Sequence, residues 1–230
     1  MSTHKLAAIV VATLTLGTTL LIGGPASAYD SAAPVASVRA PASATPDTSA
    51  DTSSGDAGGT AQLVLRPAPA PTRAIKPIPG FRMNALRWFY IQNHRNGRFC
   101  LDAARETMGN ASTKVQLWEC TADAPNQIWA QVEDEARVWH LLNLEAGKCL
   151  DADMKTIGGN GTMVQLWQCT IGAHNQGWAF EMDSSAIWHL RVDMTPRRSL
   201  DADVNSLGRN GSLVHLWDHT PGATNQGWRT

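Results

Sequence analysis

Three copies of one unit fill the C-terminal part of this chain, and that repetition restricts its fold more than any other feature. Cys100-Leu-Asp-Ala recurs as Cys149-Leu-Asp-Ala and again as Ser199-Leu-Asp-Ala. Val115-Gln-Leu-Trp118 recurs as Val164-Gln-Leu-Trp167 and Val214-His-Leu-Trp217. Asn126-Gln-Ile-Trp129 recurs as Asn175-Gln-Gly-Trp178 and Asn225-Gln-Gly-Trp228. Each step is 49 and then 50 residues. A weaker echo, Trp139-His-Leu and Trp188-His-Leu, keeps the first spacing, with Trp88-Phe-Tyr as its first copy. A unit of about 50 residues cannot bury its apolar face alone, so the three are expected to share one core.

Each unit reads as short strands separated by turns. Val115 to Trp118 and Trp139 to Leu142 are apolar and rich in strand-forming residues. Asn160-Gly161 and Asn210-Gly211 precede two of the Val-x-Leu-Trp runs and read as tight hairpin turns. No segment sustains a 3.6-residue apolar period, so helix is a minor component. The expectation is an all-β domain of about twelve strands, four per repeat, over residues 85–230.

The rest of the chain differs in composition. Residues 1–28 read as a secretory signal: Lys5, an apolar stretch from Leu6 to Gly23, then Pro25-Ala26-Ser27-Ala28 as a small-residue cleavage site. A transmembrane anchor is the rival reading, and the cleavage site argues against it. Residues 29–84 are rich in Ala, Pro, Ser and Thr and contain no Trp, so they read as a disordered spacer without a core of its own, a cleaved propeptide being the alternative. The net charge of −1 supplies no basic surface for a phosphate backbone, which argues against nucleic acid as partner. The expected protein is secreted and monomeric, with no membrane contact after cleavage.

The combination of C-L-D-A, V-Q-L-W-x-C and N-Q-x-W, three times in register, resembles the ricin-type β-trefoil lectin family, including the family 13 carbohydrate-binding modules of secreted bacterial glycosidases. The resemblance covers residues from about 85 to 230. It implies a β-trefoil: twelve strands in three equivalent units, six closing a barrel and six forming three hairpins that cap it. The family usually places such a module beside a catalytic domain. Here a spacer stands in that place, so a stand-alone lectin is expected.

Four Cys in a secreted chain should pair, and three connectivities are open. Cys100 and Cys120, like Cys149 and Cys169, are 20 residues apart at matched repeat positions, and the third repeat replaces both members together, by Ser199 and His219. Joint loss favours pairing within each repeat, Cys100–Cys120 and Cys149–Cys169.

Sugar binding needs an aromatic face for the C–H side of a pyranose and fixed polar groups for its hydroxyls. Asp102, Trp118 and Asn126 supply that set in the first repeat, Asp151, Trp167 and Asn175 in the second, Asp201, Trp217 and Asn225 in the third. These positions match the sugar-contacting residues of the family. Gln127, Gln176 and Gln226 match a Gln that braces the Asp. Gln116 and Gln165 stand beside the stacking Trp, where the third repeat has His215, so the third site is expected to be weakest or to prefer another sugar. Trp129, Trp178 and Trp228 are expected in the core, as are Leu101, Leu150 and Leu200.

Other readings attach to the same stretch. The sequons at Asn110, Asn160 and Asn210 recur with the repeat and are better explained as hairpin turns. Asp151 with Asp153, and Asp201 with Asp203, could form an acid/base pair or hold a metal, but Ala104 breaks the pattern in the first repeat. His140 and His189 read as packing or surface residues. No catalytic motif, metal or cofactor is expected. Galactose-, xylose- or arabinose-containing glycans are all compatible ligands. The alternatives are a structural or protein-binding trefoil and an accessory module of a polysaccharide-degrading system.

Overall fold

The computed structural model describes residues 66–72, 75–83 and 86–230. The expected signal sequence and most of the expected spacer lie outside the described residues. Within them run thirteen strands: β1 (Trp88–Tyr90), β2 (Gln92–Asn93), β3 (Phe99–Ala103), β4 (Thr113–Glu119), β5 (Ile128–Glu133), β6 (Trp139–Asn143), β7 (Cys149–Ala152), β8 (Thr162–Trp167), β9 (Trp178–Met182), β10 (Trp188–Val192), β11 (Arg198–Ala202), β12 (Ser212–Asp218) and β13 (Trp228–Arg229). Among the described residues, helix is confined to single 3-10 turns, such as Pro125–Gln127, His174–Gln176 and Thr224–Gln226.

The pairing is that of a β-trefoil. β1 pairs with β5, β5 with β6, β9 with β10, and β13 with β2. Single bridges, His140 to Gly177 and His189 to Gly227, join β6 to the start of β9 and β10 to the start of β13. These links close the barrel. The pairs β3–β4, β7–β8 and β11–β12 are the three hairpins. Their second strands meet in a triangle, β4 with β8, β8 with β12 and β12 with β4, which caps one barrel end.

One strand more than twelve arises in the first repeat. The position filled by continuous β6 and β10 is split there into β1 and β2, with Ile91 between them. β1 follows β5, whereas β2 pairs with the two-residue β13. One stretch thus serves two neighbours.

Alternation along the hairpin strands builds the core, since successive side chains of a strand point to opposite faces. Val115 and Leu117, Val164 and Leu166, Val214 and Leu216 are buried together with Leu101, Leu150 and Leu200. Trp129, Trp178 and Trp228 join the same cluster, as expected from their place in the repeat. Each indole N–H is satisfied inside the core, donating to the carbonyl of Leu101, Leu150 or Leu200 at 2.9–3.0 Å. A buried indole without that acceptor would forfeit about 1–3 kcal/mol.

Residues 66–72 and 75–83, read from sequence as part of the spacer, lie against the first repeat. Ala68 N–H donates to the Trp88 carbonyl at 2.7 Å, and Arg82 N–H to that of Glu133 at 2.8 Å. Ile75, Ile78, Phe81 and Met83 pack on a second apolar cluster containing Tyr90, Ile128 and Leu142. Proline removes backbone donors and so breaks the strand pattern, but these scattered apolar side chains find a partner surface in the barrel. The boundary of the packed region therefore lies N-terminal to residue 85.

Candidate carbohydrate site

Register brings the site residues together. On the β3–β4 hairpin Asp102 lies opposite Gln116; Asp151 lies opposite Gln165 and Asp201 opposite His215 on the other two. Gln116 and Trp118 point away from the core because Val115 and Leu117 point into it. The 3-10 turn after each hairpin then delivers an Asn and a Gln to the same carboxylate.

In the first repeat Asp102 is buried and accepts three amide donors. Gln116 Nε2 is 3.2 Å from Oδ1; Asn126 Nδ2 and Gln127 Nε2 are 2.7 and 3.0 Å from Oδ2. Asp151 receives Gln165 at 3.1 Å on Oδ1, with Asn175 and Gln176 both at 2.9 Å on Oδ2. Asp201 receives Asn225 and Gln226 at 2.9 Å on Oδ2, while His215 Nε2 stands 3.2 Å from Oδ1. The bracing role expected of Gln127, Gln176 and Gln226 is what these bonds describe.

The Asn residues differ from expectation in one respect. Asn126 Nδ2 also donates to the Ala103 carbonyl at 3.2 Å, and Asn175 and Asn225 make the same second bond to Ala152 and Ala202. Both amide hydrogens are thus committed, so each Asn offers a ligand only its Oδ1 acceptor. A carboxylate has about four lone-pair positions; on Asp102 and Asp151 three accept amide donors, leaving one on Oδ1, and on Asp201 two do, with the His215 ring beside Oδ1. Each site is therefore a set of acceptors awaiting hydroxyl donors.

Burial pushes the Asp102 and Asp151 carboxyls above the ordinary value, and their Gln and Asn donors partly oppose the shift. Beside them stand the exposed indoles: Trp118, Trp167 and Trp217 are 40–42% accessible, against 0–2% for the three core tryptophans. In the third repeat the His215 ring lies 5.1 Å from that of Trp217, tilted by 32°.

The first site is a depression of about 220 Å³ whose wall also includes Arg105, Glu106, Thr121 and Ala124. Sequence reading missed these. Thr121 has a signal, recurring in register as Thr170 and Thr220. Arg105 has none, because Met154 and Val204 stand at its equivalents; its guanidinium is held by Glu145 at 2.9–3.1 Å. A larger cavity of about 910 Å³ lies between Pro69–Thr72 and Ile75–Pro79 and the Pro125 and Leu144–Gly147 loops. It offers no aromatic face for a pyranose, and of its carboxylates Glu145 is committed to Arg105.

The competing motifs have structural uses. Asp153 accepts from the Thr156 hydroxyl at 3.2 Å and Asp203 from Asn205 N–H at 3.2 Å, so each caps a turn. Asn160 Oδ1 accepts from Asp218 N–H at 2.7 Å and Asn210 Oδ1 from Glu119 N–H at 2.8 Å, tying one hairpin to the next. His140 and His189 are fully buried, not on the surface. Both cysteine pairs are bridged within their repeats, Cys100–Cys120 and Cys149–Cys169.

The family model of the ricin-type beta-trefoil lectin domain matches residues 87–228. No curated protein matches the sequence significantly. Among solved structures, the designed threefold-symmetric protein ThreeFoil is 21% identical at a TM-score of 0.53, covering 62% of this chain and 96% of its own. An exo-beta-1,3-galactanase from Clostridium thermocellum is 21% identical at a TM-score of 0.51, over 64% of this chain and 30% of the enzyme. A mosquitocidal holotoxin is 16% identical at a TM-score of 0.53, over 62% of this chain and 16% of the toxin. The chain thus spans less than a third of either natural protein. The threefold hairpin arrangement and the domain match over most of the described residues agree: this chain belongs to the ricin-type beta-trefoil lectin family.

Proposed function

We propose that this protein is a secreted, non-catalytic lectin that binds neutral glycans through up to three shallow sites, one per repeat. The observation that carries the reading is a buried carboxylate, braced by amide donors and with acceptor capacity left on Oδ1, beside an exposed indole, found three times. A pyranose supplies the complement: an apolar C–H face for the ring and hydroxyl donors for Asp and Asn oxygens. An anionic ligand would meet only acceptors and a negative charge at these atoms. A protein ligand would gain little from an isolated indole above a carboxylate, since protein interfaces are built around a continuous apolar centre.

Galactose-, xylose- and arabinose-containing glycans satisfy this chemistry. The test is retention on immobilised galactan, xylan and arabinan, followed by elution with free galactose, xylose or arabinose. Retention that a matching free sugar reverses supports the proposal. Failure to bind any member of a broad glycan array refutes it.

A further inference from the structure

Two buried Asp–His pairs lie outside the sugar sites. His140 Nε2 and Asp134 Oδ2 are 3.0 Å apart, and His189 Nε2 and Asp183 Oδ2 are 2.8 Å apart. The same carboxylates reach into the next repeat. Gly172 N–H donates to Asp134 Oδ2 at 2.7 Å, and Gly222 N–H to Asp183 Oδ2 at 2.6 Å. At the equivalent position of the first repeat stands Asp123, whose N–H donates to the Tyr90 hydroxyl at 3.0 Å. Three equivalent loops are thus anchored at one equivalent atom by two carboxylates and a phenol.

A short chain of bonds leads from each anchor to a sugar site. Two residues before Gly172, Thr170 N–H donates to Gln176 Oε1 at 2.9 Å, and Gln176 Nε2 donates to Asp151 at 2.9 Å. In the third repeat Thr220 N–H reaches Gln226 at 2.9 Å, and Gln226 reaches Asp201 at 2.9 Å. In the first, Thr121 N–H reaches Gln127 at 2.8 Å, and Gln127 reaches Asp102 at 3.0 Å. The two His are themselves bridged to Gly177 and Gly227, one residue beyond Gln176 and Gln226.

We propose that Asp134–His140 and Asp183–His189 are positioning groups for the sugar sites of the following repeat, the second and third, and that the Tyr90 hydroxyl does the same for the first. The inference rests on the sugar-binding reading above. A buried carboxylate is costly unless its lone pairs are bonded, and a fully satisfied one fixes the groups that donate to it. Asp134 Oδ1 meets that condition, accepting from Val138 N–H at 2.9 Å, and Asp183 Oδ1 accepts from Ile187 N–H at 3.0 Å. Each anchor therefore fixes a loop that carries the Asn and Gln of its site, without touching the ligand.

The experiment compares Asp134→Asn, Asp183→Asn and Tyr90→Phe with the unaltered chain. Galactose is titrated while the indole resonances of Trp167, Trp217 and Trp118 are followed, and amide exchange at Thr170, Thr220 and Thr121 is measured without sugar. Each variant is expected to weaken binding about tenfold at one indole only, Trp167, Trp217 and Trp118 respectively, the effect of one lost hydrogen bond. Exchange should quicken only at the matching Thr. Equal weakening at all three indoles, or unchanged exchange at the matching Thr, overturns the inference. If galactose shifts no indole of the unaltered chain, the sugar reading fails for galactose, and the exchange data decide the positioning role alone. If an Asn variant does not fold, Tyr90→Phe, which removes a single oxygen, decides it.

Discussion

Ser199 Oγ and His219 Nδ1 lie 2.9 Å apart where the other two repeats carry a disulfide. Those bridges join residues 20 apart with Cα atoms 5.0 Å from each other. Ser199 and His219 have the same separation in sequence, so the third repeat keeps the cross-link and changes its chemistry. His219 also meets the His189 ring edge-on at 4.6 Å, which fixes the imidazole from a second side. A hydrogen bond of this kind contributes about 1 kcal/mol net, whereas closing a loop of about 20 residues covalently is worth roughly 3 kcal/mol.

Replacing both residues, Ser199→Cys with His219→Cys, should therefore form a third bridge and stabilise the protein by about 2 kcal/mol, the difference between those contributions. Peptide mapping checks the bond and urea unfolding the gain. A bridge that forms without raising the midpoint would mean that the His219 contacts to Ser199 and His189 already hold the repeat as firmly.

The residues that proved legible from sequence are those for which all three repeats use one residue type at one spacing. Asp102, Trp118, Asn126 and the core Trp129 belong to that group, and their counterparts occupy the expected places. The loop anchors were harder to read. Asp134 and Asp183 recur at the 49-residue step, but the first repeat does the same job with Tyr90, a different side chain at an unmatched position, so the signal stops at two copies. Asp123 hides the corresponding turn as well. It sits at a φ of 59°, where the equivalents Gly172 and Gly222 stand at 70° and 78°, and an Asp does not announce a left-handed turn as Gly does. The packed stretch before residue 84 was missed because proline masks the strand pattern while Ile75, Ile78 and Phe81 still dock.

Acid should abolish sugar binding at the first and second sites before it unfolds the protein. Burial raises the Asp102 and Asp151 carboxyls above their ordinary 3.8, so they take up protons first as pH falls, and a protonated carboxyl held by amide donors loses its acceptor strength. Their ionisation weakens the fold above pH 3.8, and protonation relieves that cost. Asp134 and Asp183 run the other way. Burial raises them, but N–H groups from Gly172 and Val138, and from Gly222 and Ile187, outweigh it and leave both below 3.8. A lowered folded-state value contributes stability that is complete above 3.8 and lost only as pH falls through the folded value. Glycan binding and near-ultraviolet circular dichroism, titrated in parallel, should show binding disappearing first; coincident curves would contradict this assignment.

At the third site, His215 replaces an amide donor and lies against the ring of Trp217. His215→Gln should restore the donor geometry of Gln116 and Gln165 and free the indole face. The expected gain at this site is about threefold, near 0.7 kcal/mol, as for one improved hydrogen bond. Following the Trp217 indole during a monosaccharide titration measures it. A weaker third site in the variant would mean that the imidazole itself contacts the ligand.

Valence gives the largest predicted effect. If each of the three hairpins carries a site, as proposed, all three stand on one barrel, and a monosaccharide gains nothing from their number. A polymer that engages a second site does so intramolecularly, which can raise avidity by roughly 10² to 10⁴ without a new contact. Monosaccharides should accordingly bind near 1 mM, about −4 kcal/mol per site, while polysaccharide is retained far more tightly. Asp102→Ala, Asp151→Ala and Asp201→Ala are poor probes, because each leaves buried amide donors without their acceptor. Trp118→Ala, Trp167→Ala and Trp217→Ala remove half-exposed rings and leave the braced carboxylates in place. Each should erase one monosaccharide site in calorimetry, leave the other two unchanged, and cut polysaccharide retention by at least about tenfold. If one substitution abolishes both kinds of binding, a single site carries the function; if polymer retention survives all three singly, the exposed indoles are not the binding faces.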